Sequence, residues 1–196
     1  KTYVIVQAMG RKGTGRHDWL HAGQALLIDG GVDAVKLQAL TCRLGVSTGS
    51  FYHHFSSFDG YLAALADFYG AEQAQLPIDE ARARVGDDPA ALLREATHIF
   101  GNRSMRQLNI AMRAWAQNDT RALIAIRRYD ETLMAELDAV FLALGFDELA
   151  AKARTLVMMG LATVDLDRNL MHPGFRERWH YIRDELMLPQ GTAAES

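Results

Sequence analysis

The sequence predicts an all-α fold in which a small N-terminal helical head precedes a larger helical body. Apolar residues recur at three- and four-residue spacing through most of the 196 residues, which is the period of an α-helix. Only four prolines interrupt the chain, and no alternating strand pattern of useful length occurs. Because glycine, proline and short polar clusters separate the periodic segments, we expect a bundle of helices without a sheet.

The same separators predict the domain organisation. Residues 1–16 contain a glycine-rich basic run and are expected to form a flexible arm. The head comprises residues 17–60, the body 61–188 and a tail 189–196. The helices of the body are expected at about 61–76, 90–101, 104–117, 120–144, 147–170 and 174–187, with a loop at 77–89.

The head is expected to contain a helix-turn-helix. Its three helices are predicted at about 18–30, 33–44 and 47–55. Asp18 and Ser47 are the expected N-caps of the first and third helices, and Gly45 ends the second. Two helices joined by a three- to four-residue turn that contains glycine form the helix-turn-helix pattern.

The charges are distributed unevenly along the chain. The formal net charge is −3, which is unusual for a protein that binds nucleic acid. Residues 1–58 nevertheless hold six basic and three acidic residues, which leaves 15 basic and 21 acidic residues for the remainder. A basic head and an acidic body indicate that the head meets phosphates; a chance fluctuation of a few charges is the alternative.

The third helix carries groups that a helix in the major groove needs. Phe51 and Phe55 are four residues apart and are expected to face the core. The outward-facing residues near the start of this helix are then Thr48, Gly49, Tyr52 and His53. Ser47 and Ser50 place hydroxyls within reach of phosphates, and Gly49 lets the backbone approach DNA. A generic helical pair with surface aromatics is the alternative.

The segment from Trp19 to Leu65 resembles the tetracycline-repressor (TetR) family of bacterial transcription regulators. The resemblance is carried by an apolar first helix, a glycine-containing break, a short second helix and the segments Gly45-Val46-Ser47, Gly49-Ser50-Phe51-Tyr52 and His54-Phe55. The body resembles the family only in its number of helices and at 111–116. The resemblance implies a cytoplasmic, non-enzymatic DNA-binding repressor that a small-molecule effector releases from its operator.

The resemblance also implies roles for residues of the third helix. Tyr52 and His54 are expected to bind backbone phosphates, and Thr48, Gly49 and His53 are expected to face bases. Together these expectations define a DNA-binding surface made by Lys36, Ser47, Thr48, Gly49, Ser50, Tyr52, His53 and His54.

Two positions depart from the family pattern. Phe58 stands where most members place a lysine that binds phosphate, and Thr41 stands where a small alanine is usual. We therefore expect Lys36, or the basic residues at 11–16, to supply the phosphate contact that Phe58 does not.

The last two helices are expected to form a homodimer interface. Small residues recur at near-heptad spacing in 147–170, and a stripe of larger ones follows in 174–187: Ala153, Val157, Gly160 and Val164, then Phe175, Trp179, Ile182 and Leu186. An ordinary buried core has the same pattern. The resemblance implies a four-helix bundle between two subunits, whose heads read the half-sites of a palindromic double-stranded operator.

The middle helices contain a set of residues suited to a ligand pocket. They are Phe100, Met105, Met112, Arg113, Trp115 and Tyr129, with Met158 nearby in the later helix at 147–170. Pockets for small ligands are mostly apolar with a few polar groups, although each residue also fits ordinary core. Arg113 needs a partner, which is either a ligand anion or an acidic residue such as Glu95, Asp119 or Asp130.

The sequence does not favour other chemistry. Cys42 is the only cysteine, so no disulfide can form within the chain and a reducing compartment is expected. The longest apolar stretch, 155–164, is far shorter than a membrane span. His17 and His21 have the spacing of a zinc pair but lack an evident third ligand. We expect no catalytic site, metal or cofactor; the rival function is a helical small-molecule- or partner-binding protein with a vestigial DNA-binding head.

Overall fold

The computed structural model describes residues 14–100, 102–163, 181 and 187–189. These residues form eight α-helices and one 3₁₀ turn, with no strand among them. This confirms the all-α prediction. The helices are α1 (Arg16–Gly30), α2 (Leu37–Leu44), α3 (Thr48–His54), α4 (Phe58–Val85), α5 (Pro89–Phe100), α6 (Arg103–Ala116), α7 (Thr120–Ala143) and α8 (Glu148–Thr163). None of the described helices is long and apolar enough to cross a membrane.

The chain divides into two compact units. The first contains the described residues up to Glu72 together with Gln107–Arg128. The second contains Gln73–Arg106 and the described residues from Tyr129 onward. Each unit has its own buried apolar residues, for example Trp19 and Phe51 in the first and Leu93 and Phe141 in the second.

The beginning of α1 differs from its predicted position. Gly15, rather than Asp18, is the N-cap residue, and α1 therefore starts two residues earlier than expected. Asp18 still stabilises this end, because its carboxylate accepts a hydrogen bond of 2.7 Å from the backbone N–H of Gly15. An acidic residue in the first turn also interacts favourably with the helix dipole. The helix ends as predicted, at Gly31 with φ of 72°.

The second predicted helix is wrong in its first third, residues 33–36. Residues Val32–Ala34 form a 3₁₀ turn, and α2 begins only at Leu37. The two intervening residues are extended, with Val35 buried and Lys36 exposed as the N-cap. These two extended residues turn the chain between the 3₁₀ turn and α2 and leave Val35 buried. The apolar periodicity, which continues back to Asp33, does not reveal this interruption.

The predicted loop at 77–89 is also wrong, because α4 continues through Pro77 to Val85. A proline inside a helix removes one hydrogen bond and costs about 3 kcal/mol. The turns after Pro77 are held by buried Ala81 and by a bidentate pair between Arg82 and Glu136, with one N···O distance of 2.5 Å. These contacts offset the lost bond, and the true break occurs at Gly86, where φ is +69°.

The remaining helices lie close to their predicted positions. The starts and ends of α5, α6 and α7 agree with prediction to within one residue, and Gly145 takes the left-handed conformation before α8. The described part of α8 ends at Thr163. The predicted helix at 174–187 lies outside the described residues except at 181 and 187, as does the predicted interface residue Val164.

Asp119 organises the beginning of α7 within the first unit. Its carboxylate accepts hydrogen bonds from the Arg121 side chain at 2.8 Å, the Arg121 backbone N–H at 2.9 Å and the Trp115 indole at 3.1 Å. These bonds, those of the Arg121 side chain foremost, lower the pKa of Asp119 to about 2. Arg121 also donates to Asp59 at 2.6 Å, so the first turns of α4 and α7 are joined by charge-assisted hydrogen bonds.

Candidate nucleic-acid interface

An aromatic cluster forms the core of the head. Phe51 of α3 is completely buried and lies at the centre, with its ring centroid 5.3 Å from Trp19 and 5.4 Å from Tyr61. Phe55 and Phe58 complete the cluster at 5.2 and 6.2 Å from Phe51. The prediction that Phe51 and Phe55 face the core is confirmed. Edge-on aromatic packing of this kind fixes the orientation of α3.

Tyr61 connects α4 to α1. Its hydroxyl donates a hydrogen bond of 2.8 Å to the backbone oxygen of Trp19. Burial raises the pKa of Tyr61 well above its ordinary value, so the hydroxyl remains a donor. Gly23 makes this contact possible, because a β-carbon at position 23 would lie 2.0 Å from the Tyr61 hydroxyl oxygen.

The turn before α3 has the geometry that the helix-turn-helix pattern predicts. Gly45 is left-handed, with φ of 66° and ψ of 33°. Ser47 caps α3, and its hydroxyl accepts a hydrogen bond of 3.4 Å from the Ser50 backbone N–H. Because α3 has only seven residues, this cap and the buried Phe51 carry much of its stability.

The opposite face of α3 is open to solvent. Ser47, Thr48, Gly49 and His53 are exposed, Ser50 is half-buried, and Tyr52 leaves 54% of its surface exposed. Lys36 is also exposed, at the beginning of α2. Six of the eight predicted DNA-binding residues are thus exposed, and the other two, Ser50 and His54, are half-buried.

Gly49 is not required by packing inside the head. A β-carbon at this position would meet only the Ser47 hydroxyl oxygen, at an ordinary distance of 3.6 Å. Its φ lies outside the left-handed region. Glycine normally weakens a helix relative to alanine, so the absence of a side chain here has no structural benefit within the described part of the head.

The ends of the arm and of α3 are in contact. His54 Nε2 lies 2.8 Å from the backbone oxygen of Thr14. The Arg16 guanidinium carbon lies 4.9 Å from the centre of the Phe55 ring, within range of a cation–π contact. The last residue of α3, His54, and its C-cap, Phe55, therefore both contact the segment that leads into α1.

The structure gives a physical reason for phenylalanine at position 58. Its ring is stacked near Tyr61, with centroids 5.8 Å apart, and it also approaches Phe51. A lysine here would replace part of the aromatic cluster with a charged group. Position 58, where the family pattern has a phosphate-binding lysine, therefore contributes to the aromatic cluster in this chain.

The predicted ligand residues are divided between the two units. Met112, Arg113 and Trp115 belong to the first unit, where Met112 and Trp115 are buried and Arg113 donates to Asn109 at 2.8 Å. Met105, Tyr129 and Met158 belong to the second unit. Phe100 ends α5, and its side chain lies outside the described part of the structure.

The second unit contains a cavity of about 60 Å³. Of the predicted ligand residues whose side chains the structure describes, Tyr129 alone contributes to its wall. The other lining residues come from α4, α5 and α7, and they are Gln73, Pro77, Ile78, Ala81, Arg82, Leu92, Ala96, Leu133, Glu136, Leu137 and Val140. The four-residue spacing of Gln73, Pro77 and Ala81, and of Tyr129, Leu133 and Leu137, is the signal that sequence reasoning missed once Pro77 was assigned to a loop.

Two polar features lie in the wall of this cavity. Arg82 and Glu136 form a bidentate ion pair with each other, so their charges are mutually compensated. Pro77 has no N–H, and the carbonyl of Gln73 therefore lacks the hydrogen bond that residue 77 of a regular helix would donate.

The histidine pair considered for zinc has other contacts. His17 and His21 both approach the edge of Phe68, with ring centroids 5.6 and 5.2 Å away. His17 Nε2 also lies 3.2 Å from a Glu72 carboxylate oxygen. No group of three histidine, cysteine or acidic residues suited to a metal occurs in the part of the chain that the structure describes.

Comparisons with known proteins agree with the head's geometry. Residues 20–65 match the family model described as bacterial regulatory proteins, tetR family. A transcriptional regulator from Rhodococcus sp. Rha1 has a similar crystal structure, with a TM-score of 0.67 over 87% of this chain and 94% of that chain, at 22% sequence identity. A protein from Rhodococcus sp. described as a TetR-family transcriptional regulator has a TM-score of 0.58 over 75% and 84% of the two chains, at 19% identity. No curated protein sequence matches the chain.

Proposed function

We propose that the chain is a member of the TetR family of bacterial regulatory proteins, whose family model its residues 20–65 match, and that it is a repressor that binds a palindromic operator as a dimer. In this proposal the chain is a DNA-binding transcriptional regulator, and the repressor role, the dimer and a small-molecule effector are its finer parts. The observation that carries the proposal is the solvent-exposed polar face of α3, which is supported from behind by the buried aromatic cluster around Phe51.

In this proposal α3 lies in the major groove. Thr48, Gly49 and His53 face base edges, while the hydroxyls of Ser47, Ser50 and Tyr52 contact phosphates. Lys36 adds a charge at the beginning of α2. Since α3 is only seven residues long, one head covers a small footprint, and two heads on two half-sites supply the affinity and specificity of a regulator.

The dimer is supported by an apolar stripe on α8. Leu149, Leu156 and Val157 leave 80%, 61% and 49% of their surfaces exposed, and the small residues Ala153 and Gly160 are exposed on the same helix. Spacings of three, four and seven residues place this set along one side of α8. A solvent-exposed stripe of this kind is typical of a helix that packs against a partner.

We expect Leu156→Glu to dissociate the dimer, because a charge in an apolar helix interface is left without a partner. Sedimentation equilibrium measures the dimer fraction, and operator affinity should fall with it. The matched control is Ile124→Glu on α7, since Ile124 is 60% exposed and does not belong to the α8 stripe. A Leu156→Glu protein that remains as dimeric as the control would rule out this interface.

The effector is proposed to bind in the cavity of the second unit. Apart from Gln73, Tyr129 and the mutually paired Arg82 and Glu136, the lining residues are apolar, so an uncharged, mainly hydrocarbon group fits better than an ion. An effector that lowers DNA affinity must itself bind less tightly to the DNA complex.

We expect Ala81→Phe to abolish the response to effector without reducing DNA affinity, because the larger side chain fills the cavity. The test screens uncharged aromatic and aliphatic alcohols for a thermal shift and for release of bound DNA. Ala83→Phe is the matched control, since Ala83 is exposed on the same helix and is absent from the cavity wall. A compound that shifts the wild-type and Ala81→Phe proteins equally would place the effector elsewhere.

A further inference from the structure

We infer that Arg16 binds a phosphate of the DNA backbone and supplies, from the first turn of α1, the positive charge that α4 lacks at Phe58. The inference rests on the proposed DNA-binding function and adds one named contact to it. A phosphate contact fixes the position of a protein on the duplex but carries no sequence information. Arg16 would therefore hold the head in place while α3 reads the bases.

The first observation is the state of the positive charges in the head. Its described lysine and arginine residues are Arg16, Lys36 and Arg43. Arg43 donates a hydrogen bond of 2.8 Å to Asp29, so its charge is compensated within the chain. Arg16 is exposed and has no acidic partner among the residues that the structure describes. Its charge is therefore available to an external anion.

The second observation is the contact between Arg16 and the end of α3. The guanidinium carbon of Arg16 lies 4.9 Å from the centre of the Phe55 ring, which is within range of a cation–π contact. This ring is buried, with its centroid 5.2 Å from that of Phe51 and 4.9 Å from that of Tyr61. A fixed ring thus holds the charge at the C-cap of α3, three residues before Phe58.

The backbone on both sides of Arg16 is held as well. Before it, the backbone oxygen of Thr14 lies 2.8 Å from Nε2 of His54. After it, Trp19 is completely buried, with its ring centroid 5.3 Å from that of Phe51. A side chain that is already held at its backbone and at its charged end loses less conformational freedom on binding, which favours affinity.

The chemistry of the guanidinium group suits this arrangement. A guanidinium above an aromatic ring uses its face for the cation–π contact, while its five N–H donors lie in its own plane. The planar group matches two phosphate oxygens at once. Arg16 can therefore bind a phosphate without giving up its contact with Phe55.

The test compares four variants of the full-length protein with the wild type. Arg16→Gln removes the charge, Arg16→Met removes it but keeps an unbranched apolar chain next to Phe55, and Arg16→Lys keeps the charge without the planar group. Arg43→Gln is the matched control, because it removes one charge from the same head, but a charge that is paired with Asp29. Each protein is titrated at several salt concentrations with a duplex that the wild-type protein selects from random DNA. Thermal unfolding verifies that each variant is folded.

We expect Arg16→Gln and Arg16→Met to weaken binding about tenfold for each bound head, the effect of one charged hydrogen-bonded contact. The slope of log affinity against log salt should become shallower by about one unit for each head. An unrelated duplex of equal length should lose affinity by the same factor, because phosphates are common to both duplexes. Arg16→Lys should keep the wild-type slope, and so should Arg43→Gln.

A second measurement locates the contact on the DNA. Single phosphates of the selected duplex are replaced in turn by uncharged methylphosphonates. For the wild-type protein, replacement at one position in each half-site should weaken binding to about the same extent as Arg16→Met. For the Arg16→Met protein, replacement at that position should have no further effect.

An affinity loss in Arg16→Gln and Arg16→Met with an unchanged salt slope would overturn the inference in favour of a packing role. A slope change of the same size in Arg43→Gln would also overturn it, because the effect would then come from the overall charge of the head. Failure of the wild-type protein to select any duplex would instead contradict the proposed function, so the two failures are distinguishable.

Discussion

Gly23→Ala is expected to lower the free energy of unfolding by about 3 kcal/mol, mainly through overpacking and a lost buried hydrogen bond. The added β-carbon would lie 2.0 Å from the Tyr61 hydroxyl oxygen and 3.1 Å from both Leu65 methyl carbons. Tyr61 and Leu65 are completely buried, so neither side chain has free space nearby. The higher helix propensity of alanine recovers only about 1 kcal/mol. Chemical denaturation followed by circular dichroism measures the change.

The cause of this loss can be isolated with a second substitution. Tyr61→Phe alone should destabilise the protein by about 1 kcal/mol, because the hydrogen bond to Trp19 is lost. In the Gly23→Ala background the same substitution should instead increase stability, because it removes the oxygen that the new methyl group meets. If Tyr61→Phe destabilises both proteins equally, the proposed clash is not the cause.

Gly49→Ala is expected to weaken DNA binding without lowering the stability of the fold. The methyl group meets nothing closer than 3.6 Å within the chain, and alanine favours a helix, so stability should be unchanged or raised by up to about 1 kcal/mol. Affinity for the operator should nevertheless fall on the order of tenfold to a hundredfold, the effect of disturbing one base-pair contact in each half-site. The reason is that the backbone of α3 can no longer approach the groove as closely.

The measurement pairs thermal unfolding with a DNA titration at several salt concentrations. Because no charge is removed, the slope of log affinity against log salt should stay as in the wild-type protein while the affinity falls. Undiminished affinity would mean that Gly49 does not face DNA. Reduced affinity with a lower melting temperature would attribute the effect to folding rather than to the interface.

The fold of the head was largely predictable because its signals are local. Ser47 and Gly45 fix the turn through their own backbone preferences, and the i, i+4 spacing of Phe51 and Phe55 alone determines which face of α3 is buried. Exposure of the opposite face then follows from helix geometry. The bond between His54 and Thr14 was not predictable, because it joins residues 40 positions apart.

The cavity could not be predicted for a different reason. Proline is a strong breaker signal, yet α4 passes through Pro77 because tertiary contacts such as the pair of Arg82 with Glu136 hold the following turns. Large residues such as Met112 and Trp115 fit a pocket and a core equally well by composition. Which of the two they form depends on packing between distant helices, and periodicity within one helix contains no information about it.

The central claim is that the exposed face of α3 reads DNA sequence, and it is tested most directly by selection of duplexes from random DNA. Wild-type and Gly49→Ala proteins are carried through parallel rounds, and the enriched sequences are determined. We predict that the wild-type protein enriches an inverted repeat with two half-sites, and that Gly49→Ala loses or alters this enrichment while remaining folded. Failure of the folded wild-type protein to enrich any sequence, or identical enrichment by both proteins, would contradict the claim.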